Sequence, residues 1–192
     1  MSILNFLAQK SVKTIQVPKF AQVSQAGDDC EYLIVLTKGS VKVSTTSEEG
    51  KSITLYYIYS GESCVLTASS IMNHQPFNAC ATTQDDSEGY MIPKQQVLSW
   101  LKTEPQWQNF MFGLLEKRMG ELLNKVNQLA FNSLESRLLH WISQHPSDTT
   151  LEMTHQTIAE ELASSREVIS RLLKKLEQQG HVKLYRGKII IL

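Results

Sequence analysis

Apolar and polar positions alternate along the first hundred residues, then step by threes and fours almost to the end of the chain. Tyr32 to Thr45 (YLIVLTKGSVKVST) predicts two strands parted at Lys38-Gly39. Lys51 to Tyr59 predicts another after a turn at Glu48-Glu49-Gly50. Short β-rich runs punctuated by Gly, Asp and Ser recur up to Tyr90-Met91-Ile92-Pro93. Strands this short and frequent predict a small antiparallel roll or barrel over residues 1–103. From Pro93 the period turns helical, with a short helix over Gln95 to Thr103. Glu104-Pro105 then opens a long one, proline being tolerated in a first turn.

Within the long helix, placed at residues 104–132, Phe112, Leu115, Met119, Leu122, Val126 and Leu129 step by 3, 4, 3, 4 and 3. These are a and d positions sustained over two and a half heptads, the seam by which two helices pair. They predict a homodimer interface; the other reading is a helix buried within its own domain. A second stripe, Met111, Leu114 and Leu123, is expected to rest on the β domain. Gly113 and Gly120 lie off the seam, each lowering helix propensity by about 1 kcal/mol relative to Ala.

Asn132-Ser133 mark a boundary. Ser133 caps an amphipathic run through Leu134, Leu138, Trp141 and Ile142, which ends at His145-Pro146-Ser147-Asp148. Thr150 to Met153 is expected as an extended link, and Thr154 as the next cap. In Thr154 to Ala163, Ile158, Ala159 and Leu162 share a helical face. After a break at Ala163-Ser164, Val168, Ile169, Leu172, Leu173 and Leu176 give the next helix its own buried face. Two short helices this close in sequence cross steeply, the arrangement that presents the second to a DNA major groove. Gly180 ends that helix, and HVKLYRGKIIIL predicts a β-hairpin turning at Arg186-Gly187. Residues 133–192 thus read as a winged helix-turn-helix, and the fold class is α+β.

The chain has 192 residues and zero net charge, but the charge is unevenly placed. Residues 1–150 hold 12 Lys and Arg against 14 Asp and Glu, whereas residues 164–192 hold 7 against 2. The excess cation sits on the second helix and the wing, where a polyanion would meet it. No apolar run approaches the roughly 20 residues needed to span a bilayer. The first ten residues lack the cleavage pattern of a secretory signal, so a cytoplasmic protein with no membrane partner is expected. Cys30, Cys64 and Cys80 include no CxxC pair and are expected as reduced thiols, with no metal site. No Walker loop, GxGxxG, HExxH or GxSxG occurs. Glu62, Cys64 and His74 have no catalytic spacing, which excludes the familiar enzyme classes.

The order of β-roll, long a/d helix and winged helix-turn-helix resembles the Crp/Fnr family of bacterial transcription regulators. The likeness is strongest at QTIAEELASSREVISRLLKKLEQQGHV. YLIVLTKGSVKV, Gly61 to Cys64 and the Pro93 region resemble the family's cyclic-nucleotide-binding-like roll. Ala163 departs from it, standing where the family usually has a glycine with positive φ. On the second helix Arg166 and Arg171 suit a bidentate grip on guanine, and Glu167 suits accepting from cytosine N4. The alternative for Glu167 is a solvated pair with Arg171. Ser165, Ser170, Lys174, Arg186 and Lys188 are cast as phosphate contacts. The resemblance implies a homodimer on a palindromic, TGTGA-like site, with RNA polymerase as a partner. It also implies regulation through an effector or redox signal at the roll.

The same resemblance places an effector pocket at Gly61, Glu62, Cys64, Phe77 and Asn78. Gly61-Glu62 match the family's Gly-Glu pair, but Phe77 replaces the arginine that grips the phosphate of cyclic AMP, so that ligand is not expected. With no cysteine before Cys30, an iron–sulfur cluster is not expected either. Haem stays open through His74, alone in the roll among five histidines. The cofactor is left unassigned. Two further readings stand beside the regulator, a winged helix that docks a protein and a regulator that needs no effector.

Overall fold

The computed structural model describes residues 2–47, 50, 52–131 and 133–192, with the side chains of 128–131 outside the description. It divides into two compact units: residues up to 50 with 55–121, and 51–54 with 122–192.

The first unit opens with helix α1 (Ile3–Gln9), capped by the Ser2 side chain, which accepts from the Asn5 amide. Strands β1 (Thr14–Val17), β2 (Gln22–Ser24), β3 (Tyr32–Lys38), β4 (Val41–Thr46) and β5 (Ser52–Ile58) follow. Helix α2 (Val65–Asn73), strands β6 (Cys80–Thr83) and β7 (Ser87–Pro93), and helix α3 (Lys94–Thr103) come next, then the start of α4 (Pro105–Phe131). One sheet runs β1-β7-β3 and the other β2-β6-β4-β5. β3 pairs antiparallel with β7 from Tyr32↔Pro93 to Leu36↔Gly89. Leu33 and Val35 of β3, Val41 and Val43 of β4, Ala81 of β6 and Ile92 of β7 fill the core these strands enclose. Gly39 turns β3 into β4 at φ +82°, and a Cβ there would meet the Ser87 Cα at 2.8 Å, so only glycine fits.

Two helices that the sequence pattern did not predict interrupt the mostly β half. α1 is too short to show a period and is held by Phe6 and Leu7, with Phe6 edge-on to Trp100 at 5.3 Å. α2 contains VLTASSIM, which suits a strand locally. It is helical because Val65, Ala68 and Ile71, three apart, are all buried, and His74 closes it in the left-handed region at φ 53°. Tertiary burial overrides propensity here. Met111 and Leu114 are buried, as the second stripe of α4 requires, but Leu123 is 57% exposed and does not join them. At 100° per residue Leu123, nine residues beyond Leu114, falls half a turn round from it and off that stripe.

The second unit contains the remainder of α4, then α5 (Leu134–Ser143), β8 (Thr150–Leu151), α6 (His155–Glu161), α7 (Arg166–Gln178), β9 (Val182–Tyr185) and β10 (Lys188–Ile191). Ser133 and Thr154 cap α5 and α6 through their side chains, as expected. The link at Thr150-Leu151 is a strand: Leu151 pairs with Ile189 and Thr150 with Ile190, giving the order β8-β10-β9. Two residues are too few for a sequence pattern; pairing alone makes them β. The β9–β10 hairpin turns at Arg186-Gly187, between Tyr185 and Lys188. The Asn132 side of the expected boundary and the Glu48-Glu49 turn lie outside the described residues.

Candidate nucleic-acid interface

Helix α7 is oriented by what it buries. Ile169, Leu173 and Leu176 are fully buried against Leu138 and Ile142 of α5, Ile158 and Ala159 of α6, and Val182, Ile189 and Ile191 of the wing. At 100° per residue, Arg166, Glu167, Ser170, Arg171 and Lys174 then fall within an arc of about 140° on the opposite side. Arg166, Glu167, Arg171 and Lys174 are exposed, and Ser170 is half-buried. The core fixes the orientation of the polar face.

The entry to this helix is tightly specified. The Ser165 Oγ accepts from the Val168 amide at 3.4 Å, capping α7. Ala163 sits at φ 46°, the left-handed conformation expected at that position, and the Ser164 amide reaches back to the Ala159 carbonyl at 2.9 Å. Arg137 Nη1 donates to the Leu162 carbonyl at 2.9 Å, tying α5 to the turn. At the far end, Glu177 accepts from the Leu184 amide at 2.7 Å and fixes the wing to α7.

Among the described residues no carboxylate lies within ion-pair distance of Arg166, Arg171 or Lys174. The Glu167 carboxyl is held below the usual range by its own backbone amide, then by the Ser165 hydroxyl, with Arg166 and Arg171 contributing less. Among the described residues Glu167 forms no ion pair with Arg171. On the wing Arg186 and Lys188 are exposed, and Lys188 Nζ stands 5.5 Å from the Tyr185 ring centroid. Arg166, Arg171, Lys174, Arg186 and Lys188, with the Ser165 and Ser170 hydroxyls, thus lie on α7, its cap and the wing. A residue that no sequence signal marked, His155, places Nδ1 2.9 Å from the Ser170 Oγ.

On α4, Phe112, Leu115, Met119, Leu122 and Val126 are between 43% and 70% exposed. The Leu129 side chain lies outside the described residues.

The expected effector residues do not converge. Gly61 turns at φ +82° after β5, and Glu62 points at α4, where Arg118 Nη2 donates to it at 2.7 Å and Lys117 forms a second pair. Cys64 is buried at the start of α2, 3.4 Å from the Tyr56 hydroxyl. Phe77 is 1% exposed and belongs to the apolar core, while Asn78 faces solvent. A cavity of about 70 Å³ between the sheets is lined by Ile15, Val23, Ile34, Val41, Ile58 and Ala81, and takes in Cys64 from the expected set. Arg118, whose guanidinium stacks 4.4 Å over the Tyr56 ring, could not be foreseen at this site, because Tyr56 and Glu62 lie more than 50 residues away from it.

Among the described residues no helix is long and apolar enough to cross a membrane. The family described as cyclic nucleotide-binding domain matches residues 14–104, and that described as Crp-like helix-turn-helix domain matches residues 134–192. The chain is 26% identical over 183 residues to the cAMP-activated global transcriptional regulator CRP of Haemophilus influenzae, covering 91% of this chain and 81% of that protein. It is 27% identical over 179 residues to the global nitrogen regulator of a Nostoc species, covering 86% and 78%. A solved structure assigned to the Crp/Fnr family of transcriptional regulators, from Eubacterium rectale, is 30% identical with a TM-score of 0.83, covering 100% of this chain and 91% of that one. The c-di-GMP responsive global regulator CLP of Xanthomonas campestris shares the fold at a TM-score of 0.84, with 24% identity over 98% and 97% of the two chains. With both halves matched in order and the arrangement shared over the full length, the chain belongs to the Crp/Fnr family: it is a transcription regulator with a helix-turn-helix DNA-binding domain, and not an enzyme.

Proposed function

We propose that the chain works as a homodimer paired along the α4 stripe, reading a palindromic, TGTGA-like site with two copies of α7. The observation that carries this reading is the cation-rich face of α7, turned outward by the burial of Ile169, Leu173 and Leu176. The two copies enter successive major grooves about 34 Å apart. Arg166, Arg171 and Glu167 contact base edges. Ser165, Ser170, Lys174, Arg186 and Lys188 hold phosphates and set the register. RNA polymerase is the partner at promoters. The expected units are a sensing roll at 1–103, a pairing helix at 104–132 and a DNA-binding domain at 133–192.

The roll receives the regulating signal, and that signal is not cyclic AMP. CRP of Haemophilus influenzae is named as cAMP-activated, but the residues here do not fit the same ligand. Phe77 fills the core where an arginine would meet the phosphate, and Glu62 is already engaged by Arg118 and Lys117. A phosphodiester would lose its water without gaining a cation.

Titration of a labelled palindromic duplex at several salt concentrations tests the reading. Specific binding that weakens steeply with salt is expected, because each phosphate contact releases counterions. No binding at low salt to any duplex offered would overturn it. Calorimetry with cyclic AMP tests the second point, with no heat of binding expected.

A further inference from the structure

His155 is the first residue of α6, yet its ring is docked on α7. Its Nδ1 lies 2.9 Å from the Ser170 Oγ, and the ring is half-buried between the two helices. Ser170 is the middle of a row: Arg166, Ser170 and Lys174 follow each other at four-residue spacing along one line of α7. The imidazole therefore sits within the row of side chains proposed to meet DNA.

The charged groups acting on His155 are Arg166 and Lys174, both cations on α7, with none from α6 itself. Burial first, then these two charges, push its pKa below the usual histidine value, so the ring is neutral in the free protein at neutral pH. Nε2 has no hydrogen-bond partner among the described residues, since Nδ1 makes the contact to Ser170. A phosphate laid on this row would neutralise the repulsion from Arg166 and Lys174 and offer the ring an acceptor, both of which favour the charged form.

We propose that His155 is a proton-linked phosphate contact: as duplex DNA seats on α7, the imidazole takes a proton from solvent and joins Ser170 and Lys174 on one backbone phosphate. In the charged ring Nδ1–H donates to the Ser170 Oγ, freeing the serine hydrogen for the phosphate, and Nε2–H donates outward. Binding thus consumes one proton per protomer, and affinity rises as pH falls. The effect is confined to the window between the pKa of the ring in the free protein and its raised value in the complex. This inference rests on the DNA-binding reading above and extends it to how the same surface responds to pH.

The test measures anisotropy of a labelled palindromic duplex, at constant ionic strength, from about pH 8 to about pH 6, with wild type, His155→Gln and His155→Arg. Gln keeps a hydrogen bond to Ser170 without titrating, and Arg keeps a permanent charge. Wild-type binding is expected to tighten by about tenfold to a hundredfold per pH unit within the window, up to tenfold for each of the two protons taken up by the dimer. His155→Gln should bind more weakly than wild type at pH 6 and lose most of that slope. His155→Arg should bind tightly at pH 8, also without the slope. Because His74, His140, His145 and His181 remain in every variant, the difference in slope belongs to His155. Equal slopes in wild type and His155→Gln would overturn the proposal while leaving DNA binding intact. Absence of binding by wild type at any pH and low salt would overturn the DNA-binding reading and this one with it.

Discussion

Arg118 Nη2 donates to Glu62 Oε2 at 2.7 Å, with the guanidinium only 8% exposed. This pair fastens the long helix to the turn that follows β5 in the first unit. Nη1 of the same arginine holds Glu121 at 2.8 Å, Tyr56 covers its face, and its Nε is buried with no hydrogen-bond partner among the described residues. Burial by itself would raise the pKa of Glu62. Lys117, the Tyr59 amide and Arg118 outweigh it and hold the carboxyl below its usual range.

Removing the Glu62 charge should therefore destabilise the first unit. Glu62→Gln leaves a buried cation short of one acceptor, a loss of about 1–3 kcal/mol in urea or thermal unfolding. The pH dependence has a definite sign. A carboxyl with a depressed folded-state pKa contributes stability above its unfolded value of about 4.3, and loses it as pH falls through the folded value. Wild type should lose more stability than Glu62→Gln over that acidic window. Parallel curves for the two proteins would show that the pair contributes nothing.

Arg166→Ala should weaken binding to the palindromic duplex by about 1–3 kcal/mol and relax preference at one base pair of each half-site. Lys174→Ala should weaken specific and random duplex alike and reduce the salt dependence. Competition with single-base variants of the duplex separates these outcomes. Equal losses on all sequences for Arg166→Ala would recast that residue as a phosphate contact.

Met119 is 61% exposed at the middle of the α4 stripe. Met119→Glu puts a carboxylate at the seam, and native mass spectrometry should record a shift from dimer to monomer, with loss of palindrome binding. A dimer that survives this change would place the subunit contact elsewhere.

Ala163 holds φ 46°, where an L-residue is strained by about 1 kcal/mol. Ala163→Gly should raise stability by about that amount, read by chemical denaturation, with no loss of DNA affinity. A destabilised variant would mean that the added freedom of glycine in the unfolded chain outweighs the strain relieved.

Periodicity located the helix-turn-helix closely because both of its helices are amphipathic and each is capped by a hydroxyl residue, Thr154 and Ser165. The roll was legible through β3, β4 and β5, whose interior positions alternate. It failed at α1 and α2, where a few buried contacts decide the state. At Thr150-Leu151 the pattern showed an extended link but not the pairing, which exists because β10 lies beside it. On the interface, the exposed cations were readable from charge and spacing, whereas His155 was not, since its contact with Ser170 spans 15 residues and two helices.

The amino-acid order by itself determined which faces are apolar, where the helices of the second unit begin and end, and that cationic charge gathers at the C-terminal end. Those are properties of neighbours one helical turn or two strand positions apart. Only the tertiary structure decided that Arg118 is drawn onto Glu62, that Phe77 is buried in the core of the roll, and that an imidazole sits among the cations of α7. Each of these joins side chains from separate elements, and their energies come from burial and charge that exist only after the chain has folded.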